Sequence, residues 1–263
     1  MSFGIIDLNV IPVRLNDNAK SEMISQFFFG ETLTILNKSE KWSYVENNLD
    51  KYRGWVRDLH FKSITKNQNV ELESQKKIFS STEIKLTKNN NTIEVPTGSL
   101  ISSSEFLGYK YEELASNVNF EKIATGFLNS PYLWGGKTKN GIDCSGLVQS
   151  IYKTINKVLP RDSKNQSKIG NAVCKNFEIG DLAFFGKSKE NITHVGIILN
   201  NNEILHSHGR VRIDKLNEKG IFNNEENRIT HKIQLIKRVS YLACNSSILA
   251  FNCIKPSLLP RTP

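Results

Sequence analysis

The sequence predicts an α+β domain preceded by one or two small all-β barrels. Three observations carry this. The first 62 residues break into short runs of alternating apolar and polar character, separated by turn signals. An amphipathic helical pattern starts at Cys144. From Asp181 onward the chain returns to strand-like runs, and helix followed by successive antiparallel strands is the order of an α+β unit. At 263 residues the chain is long enough for two or three such units.

The elements follow in order. Val10-Ile11-Pro12-Val13-Arg14, Thr32-Leu33-Thr34-Ile35-Leu36, Trp42-Ser43-Tyr44-Val45-Glu46 and Gly54-Trp55-Val56-Arg57 read as strands. Asn16-Asp17-Asn18, Gly30, Asn47-Asn48 and Asp50 punctuate them, and short strands at this spacing predict a small barrel. Residues 63–118 contain further short apolar runs (Ile78-Phe79, Glu83 to Leu86, Thr92 to Val95) and read as a second, degenerate barrel or as linker. Residues 111–128 read as helical, with Leu114, Val118, Ile123 and Phe127 as apolar positions. The third unit spans 119–245. Its helix carries Leu147, Val148, Ile151, Tyr152 and Ile155 on one face. Strands follow at Asp181–Phe185, His194–Leu199 and Glu203–Ser207, the last two joined through Asn200-Asn201-Asn202 as a hairpin. Residues 246–263 read as a tail.

Composition narrows the function classes. The net charge is +9, but the lysines are scattered and no basic block with interleaved aromatics occurs, so a solvated surface is expected rather than nucleic-acid binding. No stretch approaches the roughly 18 apolar residues of a membrane span. Met1 to Asp7 has no basic leader region, from which a cytoplasmic location is expected. The four cysteines, Cys144, Cys174, Cys244 and Cys253, form no CxxC pair and no zinc-ligand spacing. No metal or cofactor is expected, and Cys174, Cys244 and Cys253 read as buried or incidental thiols. Nothing in the sequence fixes the oligomeric state.

Chemistry concentrates around Asp143-Cys144-Ser145-Gly146. Asp143 is a preferred helix N-cap type, and a thiol at a helix N-terminus feels the positive end of the dipole. With an imidazolium nearby, such a thiol falls from about 8.5 into a range of roughly 3.5–7.5. His194 opens a strand and is the candidate base. Taken singly, a cysteine at a helix start is ordinarily structural and a strand histidine ordinarily a satisfied core residue. His206 and His208 share one face of the next strand. A three-residue loop at 200–202 places His194 opposite His208 and Gly196 opposite His206, so that both histidines of that strand lie on the face of His194. A two-residue loop puts both on the other face, and periodicity does not choose between them.

Two resemblances attach to these residues. Pro12-Val13-Arg14, Ser21-Glu22-Met23, Gly30-Glu31, Lys41-Trp42-Ser43-Tyr44-Val45 and Tyr52-Arg53-Gly54-Trp55-Val56 resemble a bacterial SH3 domain over most of residues 1–62. Tyr132 to Gly136, Gly141 to Val148, Leu159 to Ser163 with Gln166, Gly180-Asp181-Leu182 with Phe184-Phe185, and His194 to Ile197 are similar to the NlpC/P60 family of cell-wall cysteine peptidases over about residues 119–210. The resemblance implies a papain-like domain with Cys144 as nucleophile, His194 as base and then acid, and His206 as the orienting third group, with His208 as the fallback. It further implies a murein-derived stem peptide as substrate, cut between γ-D-glutamate and a diamino acid when the N-terminal L-alanine carries a free amine. Asp143 and Ser163 are then expected at that amine, Tyr52 as a wall from the first barrel, Glu22 as an added carboxylate, and Tyr132 and Ser145 as residues lining the site. The alternatives are an endopeptidase or amidase on intact wall, or an acyltransferase on the same fold. Arg161, Asp162 and Asp181 read as local structure.

Overall fold

The computed structural model describes residues 2–111 and 119–239. The first unit is a curled, all-antiparallel seven-stranded sheet: β1 (Ser2–Ile5), β2 (Val10–Arg14), β3 (Met23–Phe28), β4 (Thr32–Ser39), β5 (Trp42–Asn47), β6 (Arg53–Arg57) and β7 (Lys62–Ile64), in spatial order β3-β2-β6-β5-β4-β1-β7. The period-two alternation is realised, most cleanly in β5, where Ser43, Val45 and Asn47 are buried and Trp42, Tyr44 and Glu46 half-buried. Ile6, Ile11, Val13, Phe27, Leu33, Val45 and Val56 fill the interior.

Residues 63–111 do not build a second barrel among the described residues. They form the end of β7, a helix α1 (Lys66–Ser74), one hairpin of β8 (Ile84–Lys88) and β9 (Asn91–Val95), and a short helix α2 (Ser104–Leu107). Two strands cannot enclose a core. This stretch instead buries Leu72, Leu86, Val95 and Leu107 against Ile5 and Phe29 of the first unit. The helix expected over 111–128 is represented among the described residues by α3 (Phe120–Thr125), capped by Asn119; Leu114 and Val118 lie outside them.

In the third unit a small ribbon of β10 (Lys137–Thr138) and β11 (Gly141–Ile142) leads into α4 (Cys144–Lys153), followed by a short α5 (Ser163–Gln166). Then come β12 (Asn171–Ala172), β13 (Leu182–Ser188), β14 (Asn191–Asn200), β15 (Glu203–His208), β16 (Arg210–Asn217), β17 (Gly220–Asn223) and β18 (Arg228–Arg238). Their order is β12-β18-β13-β14-β15-β16-β17, and β17 pairs back to β18, closing six strands into a ring. Successive residues of β14 serve two cores. Val195 and Ile197 face α4, with Leu147, Val148 and Ile151. Ile198 faces the ring interior with Ala183, Phe185, Ile204 and Ile236. Every residue of α4 is buried, because the helix is enclosed by this sheet and by the first unit. Cys174 is disulfide-bonded, which corrects the expectation of a free thiol there; Cys244 and Cys253 lie outside the described residues.

The seam between barrel and catalytic unit is polar and buried. Lys153 of α4 pairs with Glu31 of the barrel, both essentially inaccessible. Glu31 also accepts from Asn47 Nδ2 at 2.6 Å. The Lys137 backbone N–H donates to Gln26 Oε1 at 2.7 Å, and Gln149 Nε2 donates to Asp50 at 2.9 Å. Lys137 Nζ has no hydrogen-bond partner; it lies over the Phe28 ring at 4.8 Å. Burial and the neighbouring Lys153 charge pull it down to about 7. A buried ammonium without a partner is costly. Lys137→Met keeps the stem and removes the charge, so thermal melts at pH 6.5 are expected to show a variant more stable than wild type, by about 1–3 kcal/mol.

Candidate active site

Asp143 caps α4 and organises the site. Its Oδ1 accepts the Gly146 N–H at 2.7 Å and its Oδ2 the Gly135 N–H at 2.9 Å. The Ser145 hydroxyl donates to Oδ1 at 3.3 Å. Arg161 closes a two-pronged ion pair on the same carboxylate, Nη1 to Oδ1 at 3.0 Å and Nη2 to Oδ2. Gly146 has to be glycine, since a Cβ there would overlap the Gly136 carbonyl. Arg161 further donates from Nη1 to Ser145 Oγ at 2.7 Å and from Nε to Ser25 Oγ of the barrel at 3.0 Å. The nucleophile's helix start, the segment before α5 and the first domain therefore meet on one buried guanidinium.

Cys144 occupies the first helical position, 8% exposed. The backbone N–H groups of Val195 and Ser145 point at its sulfur, which places the thiol beside the residue that follows His194. The depressed thiol expected from the helix dipole is not what the surroundings produce. Burial, with the Asp143 carboxylate second, pushes Cys144 up to about 12. His194 is held well below its ordinary value by burial and by His231, His206 and His208. The resting pair is thus thiol and neutral imidazole.

The structure places His206 against His194 and leaves His208 aside. His194 Nε2 and His206 Nδ1 are 3.0 Å apart. His208 is partly exposed and pairs with Glu226 at 3.7 Å. The β14–β15 turn is tight, with Asn200 opposite Glu203, but a bulge at Leu199 shifts the register so that Gly196 faces His206. The strand pairing is the one a three-residue loop would have given. Beyond His206 lies a residue that sequence reasoning missed: Asp214 of β16, with Oδ2 3.1 Å from His206 Nε2 and itself paired with Arg212. Its sequence signal is a carboxylate between the apolar residues Ile213 and Leu216.

His231 of β18 was also not anticipated. Its ring stacks on His194 at 4.1 Å and 25°. His194, His206 and His231 have ring nitrogens within 4.8 Å of one another. A histidine binds a metal in its ring plane, and two near-parallel rings stacked face to face do not share an in-plane point between them. The cluster fits an aromatic stack that holds His194 in place better than a metal cage.

The remaining expected residues surround this core. Tyr52 packs its ring on the barrel interior. Its hydroxyl lies beside Asp162, and burial together with Asp162 pushes it up to about 12. Ser163 is half-buried at the start of α5. Glu22 Oε1 accepts Trp134 Nε1–H at 2.6 Å across the seam. Tyr132 is held up to about 12 by burial and the proximity of Cys144 and Asp143. Ser145 is bonded to Arg161 and Asp143, and its carbonyl accepts from Gln166 at 3.0 Å. Arg161 and Asp162, read from the sequence as local structure, are central: one neutralises Asp143, and the other keeps a carboxylate at the edge of the site.

Residues 129–226 match the NlpC/P60 family and residues 15–60 match the bacterial dipeptidyl-peptidase Sh3 domain. The third unit carries an NlpC/P60 domain. A Bacillus subtilis gamma-D-glutamyl-L-lysine dipeptidyl-peptidase is 43% identical over 90 residues, 32% of this chain and 30% of that one. A Bacillus cereus protein of the same name is 25% identical over 228 residues, 71% of this chain and 68% of that one. The chain thus spans under a third of one curated relative and about two thirds of the other. A crystal structure of an NlpC/P60 family protein from Bacillus cereus superposes with a TM-score of 0.69 at 19% identity, covering 90% of this chain and 99% of that one, and shares the fold. Among the described residues no helix is long and apolar enough to cross a membrane.

The NlpC/P60 site carries a pH signature. His194 is the candidate base; with it in that role, its lowered value moves the loss of activity on protonation below the ordinary 6.5. The acid limb of kcat/KM, measured from pH 4 to 9, is expected to have its midpoint below 6.5. Stability follows the same sign. His194, His206 and His231 all stay neutral in the folded chain below the value at which the unfolded chain takes up protons, so stability present above pH 6.5 is lost as pH falls, to about 4 for His231. Melting temperatures read in steps from pH 7 to 4.5 should decline monotonically; a flat profile contradicts the neutral histidine stack.

Proposed function

We propose that this chain is a peptidase of murein-derived stem peptides that bear a free N-terminal L-alanine, cutting the γ-D-glutamyl–diamino acid bond and releasing L-Ala-D-Glu. The observation that carries this reading is the way the barrel stands against the nucleophile end of the catalytic unit. Tyr52 reaches Asp162, Glu22 reaches Trp134, and Arg161 reaches back to Ser25. A substrate chain running past Cys144 in that direction meets another domain, which suits a short terminal segment rather than a continuous polymer. The chemistry at this end fits an ammonium. Arg161 compensates Asp143, and Asp162 then remains as a carboxylate beside the Tyr52 hydroxyl and Ser163. A desolvated ammonium needs such acceptors.

In this reading Cys144 gives its proton to His194 as the sulfur attacks the γ-carbonyl carbon. The oxyanion is held by backbone N–H groups at the start of α4, with the Tyr132 hydroxyl, kept protonated, available beside them. His194 passes the proton to the departing amine, and the C–N bond breaks to leave a thioester. Water, deprotonated by His194, hydrolyses the thioester and restores the thiol. The relatives named gamma-D-glutamyl-L-lysine dipeptidyl-peptidase support this substrate class. The role that follows is turnover of peptides already released from the wall.

Mass spectrometry of digests decides. L-Ala-γ-D-Glu-diaminopimelate is expected to yield L-Ala-D-Glu, while its N-acetylated form is cut at least 100-fold more slowly; equal cleavage of the two sinks the free-amine reading in favour of an endopeptidase on acylated wall. Cys144→Ala should bind the peptide and release nothing.

A further inference from the structure

We propose that Asp214 is a positioning residue of the reaction, setting the protonation pattern of both histidines through His206 so that His194 Nδ1 is left bare to act as the base. The inference rests on the peptidase reading for its kinetic arm alone.

Asp214 is 3% exposed and His206 is inaccessible, so their contact at 3.1 Å is a hydrogen bond inside the protein. An ionised carboxylate accepts only. Arg212 lies against the same carboxylate, with Nε 2.9 Å from Oδ2 and Nη2 donating to Oδ1 at 3.0 Å, and Arg212 is tied in turn to Glu225. Burial raises the Asp214 carboxylate, but its contacts with His206 and Arg212 hold it below its ordinary range. His206 Nε2 must therefore carry a proton. Burial keeps His206 from gaining a second one. Its Nδ1 is then a lone pair, and that atom lies 3.0 Å from His194 Nε2. His194 must donate there, so its proton is on Nε2 and its Nδ1 is bare. A neutral imidazole has one donor and one acceptor nitrogen, so the choice made at Asp214 propagates without alternatives. The reverse pattern would put the proton on His194 Nδ1, and that imidazole could not accept from a thiol. Strand register builds the relay: Ile204 of β15 faces Asp214 of β16, which sets Asp214 one diagonal step from His206 on the same face.

The amide variant separates this role from simple packing. In Asp214→Asn, Arg212 supplies donors only, so the amide oxygen is expected to turn to Arg212. The amide N–H₂ then faces His206, and both imidazoles must flip. Asp214→Ala removes the director without imposing the wrong pattern. Imidazole ¹⁵N NMR of wild type, without substrate, is expected to show His206 and His194 both protonated at Nε2; Asp214→Asn should show both at Nδ1. On the stem peptide, kcat of Asp214→Asn is expected to fall about 100-fold or more with KM little changed, and further than for Asp214→Ala. Iodoacetamide alkylation of Cys144 should slow in the same order. The proposal is overturned if wild-type His194 is protonated at Nδ1, or if Asp214→Ala is the more damaged variant in kcat while both retain the wild-type melting temperature. The wild-type NMR measurement requires no variant to fold. If wild type turns over no stem peptide, the substrate reading fails and the tautomer result still stands.

Discussion

The buried ion pair between Asp143 and Arg161 is the constraint on which the rest of this molecule depends. It satisfies the cap of α4, fixes the backbone on which Cys144 is mounted, and holds Gly135 and Gly146 at one carboxylate. Through Ser25 it extends to the barrel. Removing one partner of such a pair leaves a bare charge in the interior, which costs about 3–5 kcal/mol. Here the loss would reach the domain seam and the nucleophile together, because the same guanidinium serves both.

Two kinds of burial shape the chemistry. Burial of Cys144 and His194 keeps both neutral at rest, against the depressed thiol that a helix dipole alone suggests. The dipole contributes at most a few kcal/mol, whereas taking a thiolate out of water beside a carboxylate outweighs it. Burial of polar groups along the seam has the opposite consequence for geometry. The Lys153–Glu31 ion pair and the Gln149–Asp50 hydrogen bond form only when the barrel and α4 are correctly apposed.

Much of the fold was legible because periodicity reports it. The strands of the first barrel and the face of α4 follow from alternation and from the spacing of Leu147, Val148, Ile151 and Tyr152. The stretch after residue 62 was not, because a lone hairpin and the strands of a small barrel have the same local pattern. Only long-range pairing tells them apart, and β8 and β9 pair with each other alone in their sheet. Within the site, Cys144 and His194 stood out as candidates in the sequence, while the choice of His206 over His208 came only from the family resemblance. Arg161 was not legible, since a charged residue in a turn reads as solvated until a second domain is known to cover it. Asp214 was hidden by register, which no local pattern fixes.

Register also gives the hairpin between β14 and β15 a meaning beyond its length. The bulge at Leu199 converts a tight turn into the pairing that brings His206 to the side of His194. Side chains alternate strictly along a strand, so this single extra residue works as a parity bit. With it, the histidines face inward together; without it, Leu205 and Ser207 would take their place and the catalytic pair would be split across the sheet. The Asn200-Asn201-Asn202 turn is exposed and polar, the sort of loop that ordinarily absorbs insertions freely. In this protein a one-residue change in its length would move His206 to the other face of the sheet from His194.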